Sequence, residues 1–242
     1  MKNEIKNIFV IILKDLKAYY FKPATISWGI LFPIVFVLIF AMKNGSNISS
    51  LIGGLLSMSM FFGSTSMTGT SIMMERKINV FNIYYTLPIS YYGIALAKVL
   101  SGLLFGIFTA LIMFLVSIII VPIHIHNVSL FIVWILVSSF VFSSLGVYIS
   151  LIVKEAYDAM IYLNLIRLPL IFISGIFMPI AVLPFGVKFF SYISPLTYSV
   201  DIADKVFMGK TFIGEGTSFL VLTVVGIFFL ILSRNRVKSL RG

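Results

Sequence analysis

Few residues in this chain could do covalent chemistry, and the sequence does not bring those few together. Its 242 residues hold eight Asp and Glu, two His and no Cys, which removes disulfides, thiolate metal sites and cysteine nucleophiles. His124 and His126 share a short break between apolar runs with no carboxylate or third ligand close by, so they read as loop residues rather than metal ligands. No HExxH occurs and no Ser, His and Asp set falls at a shared depth, so nothing marks an enzyme. Gly209-Lys210-Thr211 looks like the end of a phosphate-binding loop, but the glycine that should open the pattern is Asp204. The remaining polar groups are of a different kind. Arg167 stands inside an apolar run two residues before Pro169, which deprives the Leu165 carbonyl of its helical donor. The guanidinium can therefore bond locally or meet a substrate. The stretch 75–90, ERKINVFNIYYTLPIS, interrupts two long apolar runs with charge and aromatic surface. Helical periodicity sets Ile78, Phe81 and Tyr85 on one of its faces against Lys77, Asn79 and Asn82.

The elements that hold these groups are those of a membrane protein. The chain is 60% hydrophobic and 11% charged, with a mean hydropathy of +1.11, whereas a soluble domain is about 25% charged. Its net charge of +10 sits at the ends of apolar runs, which argues for membrane orientation and against nucleic acid. Six segments approach the roughly 20 residues needed to cross a bilayer: 24–42, 49–74, 95–121, 129–153, 159–177 and 217–233. Pro33 should kink the first. In the second, twelve of the nineteen residues 53–71 are Gly, Ser or Thr. That composition suits close helix packing or the lining of a pathway, with Ser57, Ser64 and Thr68 as candidates for the lining. The third carries a GxxxG pattern at Gly102 and Gly106.

Residues 1–21 place Ile5, Ile8, Phe9, Ile12 and Leu16 in a stripe among lysines, as in a helix lying in the membrane interface or packed on the protein's own surface. Residues 179–216, broken by Pro184 and Pro195, are too polar to span and too apolar for a plain loop, so they should form re-entrant helices packed within protein. The expected fold is an all-α membrane protein: one transmembrane domain over 1–242, six transmembrane helices, an N-terminal interfacial helix and a re-entrant helical hairpin. Of eighteen Lys and Arg, twelve lie in the N-terminal segment, the 75–90 stretch, the Lys154 turn and the tail, against four on the other side. This bias places both termini and the 75–90 stretch in the cytoplasm and 179–216 outside, across a plasma membrane.

Three stretches carry a likeness to a known family. The first is Lys14-Asp15-Leu16-Lys17 leading to Pro23 and Phe32-Pro33-Ile34. The second is Glu75-Arg76 leading to Leu87-Pro88-Ile89-Ser90 and Ala97-Lys98. The third runs from Phe172-Ile173-Ser174-Gly175 through Pro179, Leu183-Pro184 and Tyr192 to Pro195-Leu196-Thr197-Tyr198. In their order and spacing the chain resembles the permease subunits of the type-2 ABC exporter family over essentially its full length. Where that family commonly reads Glu-Arg-Glu-x-Gly-Thr, this chain has Lys77, Asn79 and Val80 in place of the second Glu, the Gly and the Thr. Asn tolerates the left-handed backbone that Gly would allow, so the turn should survive. Asp204 stands where an arginine often follows the Thr-Tyr motif.

The resemblance implies that 75–90 is a coupling helix docking on a cytoplasmic nucleotide-binding subunit, with Glu75, Arg76, Lys77, Phe81 and Tyr84 carrying the coupling. It implies an extracellular gate at Ser174, Gly175, Pro179, Pro184, Tyr192, Pro195 and Tyr198. Two permease chains, identical or homologous, would assemble with two ATPases that bind ATP and Mg. This chain would hold no cofactor and be no enzyme. The expected activity, in a prokaryotic cell, is export of an amphipathic drug, antibiotic or peptide past Ser57, Ser64, Thr68 and Arg167, by alternating access. Lipid-linked glycan, haem or sodium are alternative cargoes. The competing class, an ATP-independent secondary transporter or channel, has Arg167 and the hydroxyl-rich second span in its favour but lacks intramembrane carboxylates and an inverted repeat.

Overall fold

The computed structural model describes residues 2–44, 51–120, 123–155 and 157–240. The first residues expected for the second span, the Val121-Pro122 break, Ala156 of the polar turn and Arg241 of the tail lie outside them. Among the described residues all regular structure is helical. Helix α1 is Lys2–Tyr19; α2, Pro23–Ile26, continues through a π-helical turn at Ser27–Leu31 into α3, Phe32–Asn44. Then follow α4, Ile52–Lys77; α5, Val80–Tyr84; α6, Tyr91–Ile120; α7, Val128–Ile152; and α8, Asp158–Ile173. A 3-10 turn at Ile180–Val182 leads to α9, Phe185–Ile193, α10, Pro195–Met208, and α11, Glu215–Ser239.

Just before Pro33, where a kink was expected, the helix carries a π-helical turn. Pro33 has no N–H to give, and the Phe32 N–H just before it reaches back to the Ser27 carbonyl, five residues away. Gly29 in this turn is pressed against α4 and α6: a Cβ there would lie 3.3 Å from the Gly63 backbone and 2.9 Å from Phe105.

Helix α4 is the axis of the fold, packed by α6, α7, α8, α10 and the π-helical turn, and every residue from Ile52 to Met73 is buried. Its small residues make this possible. A Cβ on Gly102 or Gly106 of α6 would collide with Thr68 or Ser64, and one on Gly146 of α7 would meet the Thr68 hydroxyl and the Thr65 backbone, so three helices approach at backbone distance. The lipid-type surface lies on the outer helices, where Leu111, Leu115 and Ile119 of α6 and Leu220, Val224 and Phe228 of α11 are exposed.

Three helices, Tyr91–Ile120, Val128–Ile152 and Glu215–Ser239, are long and apolar enough to cross a membrane by length and composition. The other three expected spans are not of that kind, for identifiable reasons. The first is a shorter apolar helix, Ser27–Ile39, that runs through the π-helical turn, α4 is diluted by Gly, Ser and Thr, and α8 has only sixteen residues and contains Arg167.

In α1 the buried side is Ile11, Ile12, Asp15 and Tyr19, while Ile5 and Phe9 of the expected stripe are exposed, so the helix has one face on the protein and another apolar face outside it, which leaves room for both readings of this segment. One expectation about a helix face is corrected. In 75–90, Ile78 is 64% exposed while Phe81 and Tyr84 are buried. Asn79 adopts the left-handed conformation (φ 57°) that its type was expected to supply. It ends α4 and starts α5, so one helical period cannot be drawn across it.

Candidate functional site

The C-terminal end of α4 meets α1, α5 and α6 in a buried cluster of charges. Lys98 of α6 donates to both oxygens of Asp15 of α1, at 3.0 and 2.9 Å, and pairs with Glu75 Oε2 at 2.5 Å. Lys14 of α1 pairs with Asp15 at 3.0 Å and with the other oxygen of Glu75. The Tyr84 hydroxyl of α5 donates to Glu75 Oε1 at 2.8 Å, and its ring lies 5.1 and 5.5 Å from the two ammonium groups. Two cations and two carboxylates balance, which is the condition for holding such groups away from water. Asp15 and Glu75 are fully buried and Lys98 nearly so, while Lys14 is partly exposed. Burial, then the neighbouring Lys98 ammonium, lowers Lys14 to about 8, and burial pushes the Tyr84 phenol up to about 12.

The same end is tied down at further points. Arg76 caps α7, donating to the carbonyls of Ser150 at 3.1 Å, Val153 at 2.6 Å and Lys154 at 2.8 Å, acceptors that a helix end otherwise leaves free. Glu4 accepts from the Ser90 N–H at 3.2 Å and from its hydroxyl at 2.5 Å, and Asn7 donates to the Pro88 carbonyl. The Tyr85 hydroxyl donates to the Val237 carbonyl of α11 at 2.9 Å. What remains outward is a short mixed face of Lys77, Ile78, Asn79, Asn82, Ile83 and Leu87, with Lys77 lying over the Tyr157 ring at 4.9 Å.

Of the five residues expected to couple, the structure joins Glu75 and Tyr84 in the charge cluster and puts Phe81 beneath the outward face, edge-on to Tyr84. Arg76 turns to α7, and Lys77 alone is exposed. Asp15 and Lys98 were missed as partners because nothing in the sequence shows that positions 83 residues apart meet. The only signal available was Lys98, a charge in a largely apolar run, whereas Asp15 stands among lysines.

The expected pathway residues lie deep in the helix contacts. Ser57 joins a hydroxyl network in which Trp134 Nε1 donates to the Ser199 carbonyl and hydroxyl, and the Ser199 hydroxyl meets Ser57 at 3.2 Å and Ser138 at 2.9 Å. Ser64 and Thr68 face the glycines of α6 and α7, and Thr68 bonds back to the Ser64 and Thr65 carbonyls. Arg167 is fully buried on α8. Its bond runs across to α4, Nη1 donating to Ser66 Oγ at 2.9 Å, rather than to the freed Leu165 carbonyl, and its plane lies 5.2 Å from the Phe62 ring. Among the described residues its Nε and Nη2 have no hydrogen-bond partner, and neither do the buried Asn164 Oδ1, Thr70 Oγ1 and Ser64 Oγ.

At the other end of α4 the expected gate residues turn the chain. Ser174 caps α8, Gly175 takes φ 91°, Pro179 and Pro184 precede the 3-10 turn and α9, and Pro195 opens α10. The Tyr198 hydroxyl donates to the Tyr192 carbonyl at 2.7 Å, closing α9 onto α10. Gly209 of the false phosphate loop ends α10 at φ 71°, and the His126 N–H bonds the Val206 carbonyl at 2.9 Å. Among the described residues no group of three His, Asp or Glu is placed to hold a metal.

A family model, ABC-2 type transporter, matches residues 6–208. The chain belongs to the ABC-2 type transporter family. A search of curated proteins returned no match. The matched segment takes in the charge cluster, α4, Arg167 and the α9–α10 turn. As an ABC-2 membrane domain the chain is a multi-pass permease subunit of an ABC transporter and not itself an enzyme. In this family the nucleotide is bound by a partner ATPase, and a permease typically works with a second permease.

Proposed function

We propose that this permease is the membrane half of an ATP-driven exporter in a prokaryotic plasma membrane, with six spans, both termini and α5 in the cytoplasm, and the α9–α10 hairpin re-entrant from outside. Two copies, or this chain and a homologue, pair with two ATPases and move an amphipathic drug, antibiotic or peptide by alternating access.

The carrying observation is the joint at the end of α4. A segment that only reversed the chain would not need four helix-borne charges, a tyrosine hydroxyl and an arginine cap to fix it to α1, α6 and α7. Held in this way, α5 moves with α4 rather than independently of it. A partner pressing on Lys77, Ile78, Asn82 and Ile83 would tilt α4 as a lever and bias one packing of the bundle against another. The exposed side chains of α9, among them Phe185 at 91% exposure, support a hairpin that meets lipid or a second permease.

The test is co-expression with a candidate cytoplasmic ABC ATPase subunit, purification through a tag on the permease, and reconstitution in vesicles. A stable complex whose ATP hydrolysis drives concentrative efflux is expected. Equal flux with and without ATP would return the protein to the secondary transporter or channel class.

A further inference from the structure

Beyond the coupling joint, the end of α4 away from Glu75 borders a cavity of about 420 Å³ between the α8–α9 connection and α10. Its walls are mostly apolar, formed by residues such as Ile176, Phe177 and Met208. Three polar side chains of α10 enter it on one helical stripe, at Thr197, Asp201 and Asp204.

The two carboxylates are not equivalent. Asp201 is saturated: it accepts the N–H groups of Phe212 at 2.6 Å, Ile213 at 2.9 Å and Gly214 at 3.2 Å, and the Ser218 hydroxyl at 2.7 Å. Its work is to fold the loop between α10 and α11. Asp204 has neither a hydrogen bond nor an ion pair among the described residues, and Lys205 and Lys210, its nearest cations in sequence, do not line the cavity. A second polar group is also unanswered, because Thr197 Oγ1 is buried at the wall and has no hydrogen-bond partner among the described residues. At the opposite end of α4 the buried charges are balanced, as at Glu75 and Lys98. An apolar chamber with one uncompensated carboxylate and one free hydroxyl therefore has the chemistry to hold an organic cation: apolar walls for its body, Asp204 for its charge.

We propose that this cavity is a binding site for lipophilic organic cations, with Asp204 as the counter-charge and Thr197 as a positioning contact. The binding claim stands on the cavity alone; that the bound cation is cargo rests on the exporter reading above.

The chain has no cysteine, so a Thr197→Cys variant carries a single thiol at the cavity wall. In nanodiscs of zwitterionic lipid, where both faces are accessible, a cationic methanethiosulfonate should label it at least roughly tenfold faster than its anionic counterpart, because a cleft of one sign concentrates counter-ions. Adding Asp204→Asn should bring the two rates together. No labelling by either reagent, or a rate ratio unchanged by Asp204→Asn, would overturn the proposal. The second measurement uses tetraphenylphosphonium on the otherwise unaltered chain in the same nanodiscs. Saturable binding that weakens roughly tenfold in Asp204→Asn and is largely kept in Asp204→Glu is expected, whereas binding indifferent to Asp204→Asn contradicts the site. Both readings use the permease without its ATPase, so they fail or succeed independently of export.

Discussion

The charge cluster at the end of α4 and the guanidinium at its middle are both buried ionisable sites, and they are built in opposite ways. Around Glu75 every charge has an opposite one within 3.0 Å, drawn from α1, α4 and α6. Around Arg167 there is a serine hydroxyl, an aromatic face and a set of donors and acceptors without hydrogen-bond partners among the described residues. A balanced cluster is satisfied in one arrangement and resists leaving it, as a joint should. An unbalanced one is satisfied only when something else supplies the missing partners, which is how a permease core would receive a substrate or a second permease. Under the proposed function the first site would serve transmission of force and the second what is moved.

This contrast is broken most sharply by removing one charge from each. Lys98→Met leaves Asp15 and Glu75 sharing only the partly exposed Lys14 and should cost about 3–5 kcal/mol. The readout is thermal stability of the detergent-extracted protein by fluorescence-detected size exclusion. Lys98→Met combined with Glu75→Gln should recover part of that loss. Between the two sites α4 must stay rigid. Gly146→Ala, whose added methyl meets the Thr65 backbone at 3.0 Å, should cost about 1–3 kcal/mol in the same assay. Arg167→Met should change stability by no more than about 1 kcal/mol, because no charge is left stranded. It should nevertheless alter the range of compounds exported, measured as vesicle efflux against a panel of amphipaths; an unchanged range would return Arg167 to a structural role. Smallest in stability is Ile83→Asp on the outward face, within about 0.5 kcal/mol, yet it should separate ATP hydrolysis from efflux.

Much of this architecture was legible in the sequence. Apolar runs gave α6, α7 and α11 within a few residues of their observed starts, although α11 extends six residues beyond its expected end. The small-residue content of 53–71 pointed to the most enclosed helix, and Asn79 announced its left-handed turn. The pairing of Asp15 with Lys98, and the saturation of Asp201 beside the unanswered Asp204, were not legible. Which buried charge meets which depends on contacts between distant helices, and hydropathy carries no information about them. For the same reason Phe81 and Tyr84, read as surface for a partner, are instead the packing beneath that surface.

On the proposed function, the outward face of α5 is where the ATPase meets the permease. A photo-cross-linking amino acid placed in turn at Asn82, Ile83, Phe81 and Phe185 of the reconstituted complex tests it directly. Adducts to the ATPase subunit are expected from Asn82 and Ile83, and none from buried Phe81 or from Phe185 at the other end of the bundle. Adducts from Phe185 with none from Asn82 and Ile83 would contradict it.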